Sequence, residues 1–352
     1  MTALTMLASG DRSGRAALTF RLLVLLLIAV AVLSLGTGAT VPSLGRLLAA
    51  AAGEGLDPLD QVVLIDIRLP RLAMGVLIGA GLAVSGALMQ GLFRNPLADP
   101  GVIGVGAGAS LGAVGAIVLG GLLPAGLANL FGAHLLPVAA FLGSWGATLL
   151  LYRIATRGGQ TQVATMLLAG IALGALAMAV TGMLIFMADD RQLRDLTFWS
   201  MGSLAGASWA KVLAILPLIL PVLALSPLLA RGLNALALGE AQAGHLGIRV
   251  QQVKRLAILA VAAATGAAVA VSGGIGFVGI VVPHLLRLAT GPDHRFLLPN
   301  AALLGASLLL AADMIARTIA VPTELPIGII TACLGAPVFL WILLGRRGIA
   351  GF

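Results

Sequence analysis

Ten apolar runs, at about 22–36, 72–93, 101–121, 135–152, 162–187, 210–230, 256–272, 274–290, 298–318 and 325–345, take up most of this chain. Each approaches the ~20 residues that a helix needs to cross a hydrocarbon core about 30 Å thick. Only 10% of the 352 residues are charged, against about 25% in a soluble domain, so the chain cannot cover a water-facing surface of its own. It reads as an all-α polytopic membrane protein of about ten transmembrane helices. Aromatic residues make up 4% and include one tyrosine, which leaves little for base stacking. The net charge of +8 is scattered between the apolar runs rather than gathered into one patch. A lone cysteine, Cys333, lies inside an apolar run and excludes both a disulfide framework and a cysteine-based zinc site.

The charges also set the topology. The first run follows Arg12, Arg15 and Arg21 and has the outline of a signal peptide, but a retained first span makes the count even. The stretch 256–290 reads either as one long helix or as two spans joined at Ser272-Gly273-Gly274. With ten spans and both termini cytoplasmic, 14 of the 21 basic residues and four of the 13 acids fall inside. A nine-span count puts Arg287, Arg295, Arg346 and Arg347 outside, against the positive-inside rule. The expected organisation is a cytoplasmic tail at 1–21, one transmembrane domain at 22–345 and a cytoplasmic tail at 346–352.

Segments 72–93, 101–133, 158–188, 212–230, 256–283 and 325–345 contain no Asp, Glu, Lys, Arg or His. A proton- or sodium-coupled secondary carrier, the alternative of a different class, ordinarily keeps an ionisable group near the midplane. Energy for transport is therefore expected from outside the membrane domain. Gly75 and Gly79, and Gly104, Gly108 and Gly112, follow the four-residue spacing that lets helix backbones approach closely. Ala83-Val84-Ser85-Gly86 recurs as Ala270-Val271-Ser272-Gly273, a faint echo of an inverted repeat.

Three segments are too patterned for plain membrane packing. Arg68-Leu69-Pro70-Arg71 leads into the second run, whose end passes into Arg94-Asn95-Pro96-Leu97-Ala98-Asp99-Pro100, a turn built from Asn-Pro and Asp-Pro. The longest cytoplasmic connection, about 231–255, carries Leu238-Gly239-Glu240 and a short helix-like stretch ending near Gly247, suited to a partner's groove. The glycines and proline of 273–284 interrupt a membrane segment, as in broken helices beside a permeation path.

With Glu324-Leu325-Pro326-Ile327-Gly328 and Leu334-Gly335-Ala336-Pro337-Val338-Phe339, these segments resemble the FecCD family of ABC importer permeases over about residues 60–345. The resemblance implies a type II ABC importer permease fold, a homodimer around a central pathway, two ATPase subunits inside and a substrate-binding protein outside. The absence of any GxxxxGK[ST] phosphate loop agrees with a chain that is not itself an enzyme and binds no cofactor, ATP and Mg being held by the ATPase partner. Carried over residue by residue, the family's coupling loop falls on Leu238, Gly239, Glu240, Ala243, Leu246 and Gly247. Its outer arginines, which pair with acids of the binding protein, fall on Arg68, Arg71 and Arg317. The family's pathway-lining fifth span carries Met166, Met178, Met183 and Met187, although methionines at helical spacing more often pack than bind metal. Segments 189–203 and 291–299 look most like the haem-importing branch, with ferric siderophore and cobalamin as alternatives. Haem enters as cargo to be released, not as a bound group.

Overall fold

The computed structural model describes residues 13–37 and 57–344. No glycine or proline occurs between Arg15 and Leu35, and α1 spans Ser13–Gly36. Residues 13–21, expected as tail, are therefore already helical. Asp11 and Arg12, and the tail at 346–352 with Arg346 and Arg347, lie outside the described residues.

Pro58–Val62 and a widened π turn, Val63–Arg68, lead into α2, Leu69–Phe93. Then follow α3 (Val105–Leu119), α4 (Leu135–Ala155) and α5 (Val163–Phe186). Between α4 and α5 a two-residue hairpin pairs Thr156 with Thr161 and Arg157 with Gln160. Its turn uses Gly158 and Gly159 at φ 56° and 76°, a region other residues seldom adopt. Next come α6 (Asp190–Ser200), α7 (Trp209–Ala237), α8 (Glu240–His245) and α9 (Val250–Ser272). The described chain ends with α10 (Val278–Thr290), α11 (His294–Ala316) and α12 (Ile327–Leu344).

Eight of these helical segments are long and apolar enough to cross a membrane, and α10 and α12 are shorter apolar helices. The expected eighth span, 274–290, is trimmed to the 13 residues of α10, about 20 Å at 1.5 Å per residue. Gly273 and Phe277 both take positive φ, 71° and 69°, so the chain cannot continue helically from α9. The 256–290 stretch is thus two helices with a break at membrane depth. Irregular backbone there must find partners inside the protein. Here Ser203 N–H donates to the Ser272 carbonyl at 2.7 Å, while Ile327 and Gly328 N–H donate to the Gly202 and Met201 carbonyls at 3.0 Å. The break is tied to the end of α6, which in turn holds the start of α12.

α2 is the central helix, 83% buried across its apolar window, with α7, α9, α10 and α11 packed around it. Small residues make that possible. A methyl group at Gly79 would overlap the Gly305 carbonyl of α11, and one at Gly86 would overlap Gly279 of α10. Likewise Gly108 and Gly112 of α3 lie against Gly143 and Ala139 of α4. Gly104, the first of that triplet, serves instead as a turn at φ 76°. By contrast α5 buries only Met166 and Gly170 within the chain.

Candidate functional site

The connection expected on the cytoplasmic side is more ordered than a loop at 231–255. α7 continues to Ala237, past Gly232 where it packs against Val253 of α9, and Lys254 and Arg255 already belong to the second turn of α9. What remains is α8 between two glycine corners, Gly239 at φ 112° and Gly247 at φ 77°. Leu238 and Leu246 stand 64% and 63% exposed at either end. Ala243 is fully buried and packs α8 on the protein body, so it is not a surface for a partner. Glu240 does not reach outward unpaired. Its Oε2 lies 2.7 Å from the Nζ of Lys254, which is 2% exposed.

At the end of α2 a cavity of about 790 Å³ is lined by Gln90, Arg94, Asn95, Asn234, Arg287 and Asp293 among others. Asn234 donates to Asp293 at 2.7 Å and accepts from the His294 N–H at 3.0 Å, and Arg287 donates to Gln90. Burial opposes ionisation of Asp293, but hydrogen bonds from the Arg295 side chain and N–H and from Asn234 outweigh it and hold its carboxyl at about 2. Sequence reasoning noticed 291–299 only as a resemblance, because Asn234 and Asp293 are 59 residues apart.

The outer arginines are placed differently from the sequence expectation. Arg71 is gripped by Asp313 and Glu324, with Nη2 2.8 Å from a carboxylate oxygen of each. Arg317 donates to the Ser34 and Thr37 carbonyls at 2.9 and 3.0 Å, and its Nε forms an ion pair with Asp313 at 3.3 Å that lacks hydrogen-bond geometry. Arg68 donates to the Leu35 carbonyl. Exposures of 6% for Arg68 and 8% for Arg317 mean that these groups tie α1, α2 and α11 together. They do not form an open docking patch for an acidic partner. The acids that neutralise them, Asp313 and Glu324, were counted in the sequence only toward a general outer charge. Glu324 keeps its carboxyl below the usual range through its hydrogen bonds to Arg71, against the opposing effect of burial.

Along α5 the four methionines divide. Met166 is 1% exposed and belongs to the core, whereas Met178 (72%) and Met183 (70%), with Met187 (66%) at the helix's C-terminal cap, lie on its open side. Deeper in, a cavity of about 400 Å³ beside the helix break is lined by Asp99, Ser110, Trp199, Thr265 and Phe277. Pro100 lies against Gly279, which itself packs on Leu82 and Gly86 of α2. The Asn-Pro…Asp-Pro turn therefore re-enters the membrane domain by about 10 Å from the end of α2, at 1.5 Å per residue. Asp99 accepts the Gly101 N–H at 2.8 Å and Asn95 accepts the Leu97 N–H at 2.9 Å, which fixes that turn. In the sequence Asp99 stands out only as part of the Asp-Pro turn between two apolar runs.

A bundle whose central glycine-lined helix is sheathed by neighbours, with a broken α9–α10 pair and a short helix between two glycine corners, defines a multi-pass membrane permease of the type II ABC importer fold. Known proteins carry the same features. An inward-facing structure of a metal-chelate-type ABC transporter superposes with a TM-score of 0.80 at 34% identity, covering 91% of this chain and 96% of that one. The profile of the FecCD transport family matches residues 25–345, and this chain belongs to that family. It is 50% identical over 283 residues to the hemin transport system permease protein HmuU of Yersinia pestis, covering 80% of this chain and 83% of the relative. It is 44% identical over 306 residues to the cobalamin import system permease protein BtuC of Halobacterium salinarum, covering 87% and 80%. Membership of an ABC permease family sets aside the secondary carrier.

Proposed function

We propose that this chain is the membrane-spanning subunit of an ATP-driven importer of haem in the bacterial inner membrane. Two copies form the permease, a periplasmic binding protein delivers the cargo, and two ATPase subunits act from the cytoplasm. The ATPases hold ATP and Mg. The observation that carries the haem reading is the 50% identity to the hemin permease of Yersinia pestis, against 44% and less for the cobalamin permeases compared with it. Cobalamin is the second reading, supported by the 44% match to the Halobacterium salinarum protein, and ferric siderophore the third.

In this reading Leu238, Leu246 and the flanking Gly239 and Gly247 are the face that α8 offers to the ATPase. Two exposed leucines flanking a short helix supply apolar anchors for docking into a partner's groove. The open side of α5, with Met178 and Met183 and the adjoining Met187, lines the pathway between the two copies. The test is uptake into liposomes holding the assembled complex with ATP inside, using binding proteins loaded with haem, cobalamin or a ferric siderophore. Haem uptake is expected; uptake of cobalamin or siderophore without haem would overturn the assignment.

A further inference from the structure

Among the described residues Lys254 is one of two lysines, and it is almost completely buried, 2% exposed, at the start of a membrane-crossing helix. A polar donor buried in that position needs acceptors inside the protein. Two partners come from different parts of the chain. Its Nζ donates to Glu240 Oε2 at the first residue of α8, at 2.7 Å, and to the Thr161 carbonyl of the α4–α5 hairpin, also at 2.7 Å. One turn away, Gln251 Oε1 accepts the Thr161 N–H at 2.9 Å. Both backbone groups of Thr161 are therefore held by the first turns of α9.

Thr161 is itself buried, and its position is rigidly passed on. Across the hairpin its hydroxyl lies 2.9 Å from that of Thr156. Next to it, Gln162 N–H closes the hairpin onto Ala155 at 2.9 Å, and the Gln162 carbonyl accepts the Met166 N–H at 3.0 Å in the first turn of α5. Lys254 thus stands where the docking helix, the root of α9 and the entry to α5 meet. α8 has few other anchors, chiefly Ala243, since six residues make too short a helix to hold itself.

The geometry points to Lys254 as a positioning residue for coupling: it locks α8 and the α4–α5 hairpin into one body, so that displacement of α8 by the ATPase carries the root of α5. This rests on the proposed docking of α8 to an ATPase. It assigns Glu240 an inward task, to hold the docking helix, rather than direct contact with the partner. It also gives the movement a second route into the membrane besides α9, leading to the helix that bears Met178 and Met183.

The test separates the lock from the docking. In a Cys333→Ala background, spin labels at Arg157→Cys and His245→Cys report the hairpin-to-α8 distance in the permease alone, in nanodiscs. A narrow distribution is expected, broadened by Lys254→Met. In the complex with ATPase subunits, Lys254→Met is expected to retain assembly and ATP hydrolysis but to lower cargo moved per ATP by roughly 2- to 30-fold, the range of couplings carried by such networks. Lys254→Met/Glu240→Gln should be no worse than Lys254→Met, since one lock is lost once. If Lys254→Met does not insert, Glu240→Gln and Gln251→Leu each remove one partner at the same junction and take the same readouts. An unchanged distance distribution, or wild-type cargo per ATP in the assembled variant, overturns the proposal. Failure of the wild-type permease to bind the ATPase would instead overturn the docking of α8, and the label distances would still decide the lock.

Discussion

Arg71 and Asp313, 242 residues apart in the chain, meet at the outer ends of α2 and α11 through three N–H···O contacts of 2.8 to 3.1 Å. Asp313 also faces Arg317 one turn on, so a single carboxylate serves two guanidinium groups. Its side chain is 2% exposed, while that of Glu324, the other acid on Arg71, is 37% exposed. Removing one member of a buried pair strands the other, at a cost of about 3–5 kcal/mol, whereas an exposed pair is worth about 0–1 kcal/mol. Asp313→Ala is therefore expected to lower the melting temperature of the detergent-solubilised protein far more than Glu324→Gln. Equal effects would mean that the outer network is as well solvated as a surface pair.

The Asn234–Asp293–Arg295 cluster gives a pH dependence of definite sign. Asp293 sits at about 2 in the folded chain against an ordinary 3.8, so its contribution to stability is complete above pH 3.8 and is lost as pH falls toward 2. Thermal melts of the wild type should fall more steeply between pH 4 and 2 than those of Asp293→Asn. Parallel curves would contradict the assignment.

At the cytoplasmic face, Leu238→Glu and Leu246→Glu should leave the isolated permease as stable as before, because exposed substitutions usually shift stability within about 0.5 kcal/mol. Both should abolish co-purification with the ATPase subunit. Retained co-purification in the double variant would remove these leucines from the docking face.

Helix packing gives a contrast within one residue type. Gly86→Ala forces a methyl group into the Gly279 carbonyl and is expected to destabilise by about 1–3 kcal/mol, as overpacking does. Gly174, on α5, has nothing within 4 Å of its missing Cβ, and Gly174→Ala should stabilise the helix by about 0.5–1 kcal/mol. Thermal shift of the two variants in the same detergent checks both signs.

What could be read from the sequence followed local physics. The ten apolar runs, the break after Ser272 and the close approach at Gly79, Gly108 and Gly112 depend on length, on positive φ and on side-chain size, all of which are written locally. What could not be read depends on partners distant in the chain. Arg68, Arg71 and Arg317 look like an exposed basic cluster until Asp313 and Glu324 are placed beside them. Asp99 looks like a loop carboxylate until the turn that carries it folds back against Gly279. The six residues of α8 are too few for a periodic signal, so nothing in the sequence distinguishes buried Ala243 from Leu246, exposed just past the helix. Met166 and Met178 share a helix and a residue type, and only the packing of α5 against its neighbours separates core from open side.

The burial of α2 has a consequence for biogenesis. Its glycine face rests on Gly305, and its Arg71 on Asp313, both in α11. Gly79 and Gly305 are 226 residues apart, so at about 5–20 residues per second the ribosome delivers the second some 10–45 s after the first. Through that interval a helix made to be surrounded by protein, with an arginine at its outer end and a row of bare backbone along its side, has only lipid, the insertion machinery and earlier helices for company. Newly made chains should accordingly stay sensitive to membrane proteases until α11 arrives, and truncations that stop before residue 294 should be cleared even though every span they contain is apolar enough to insert.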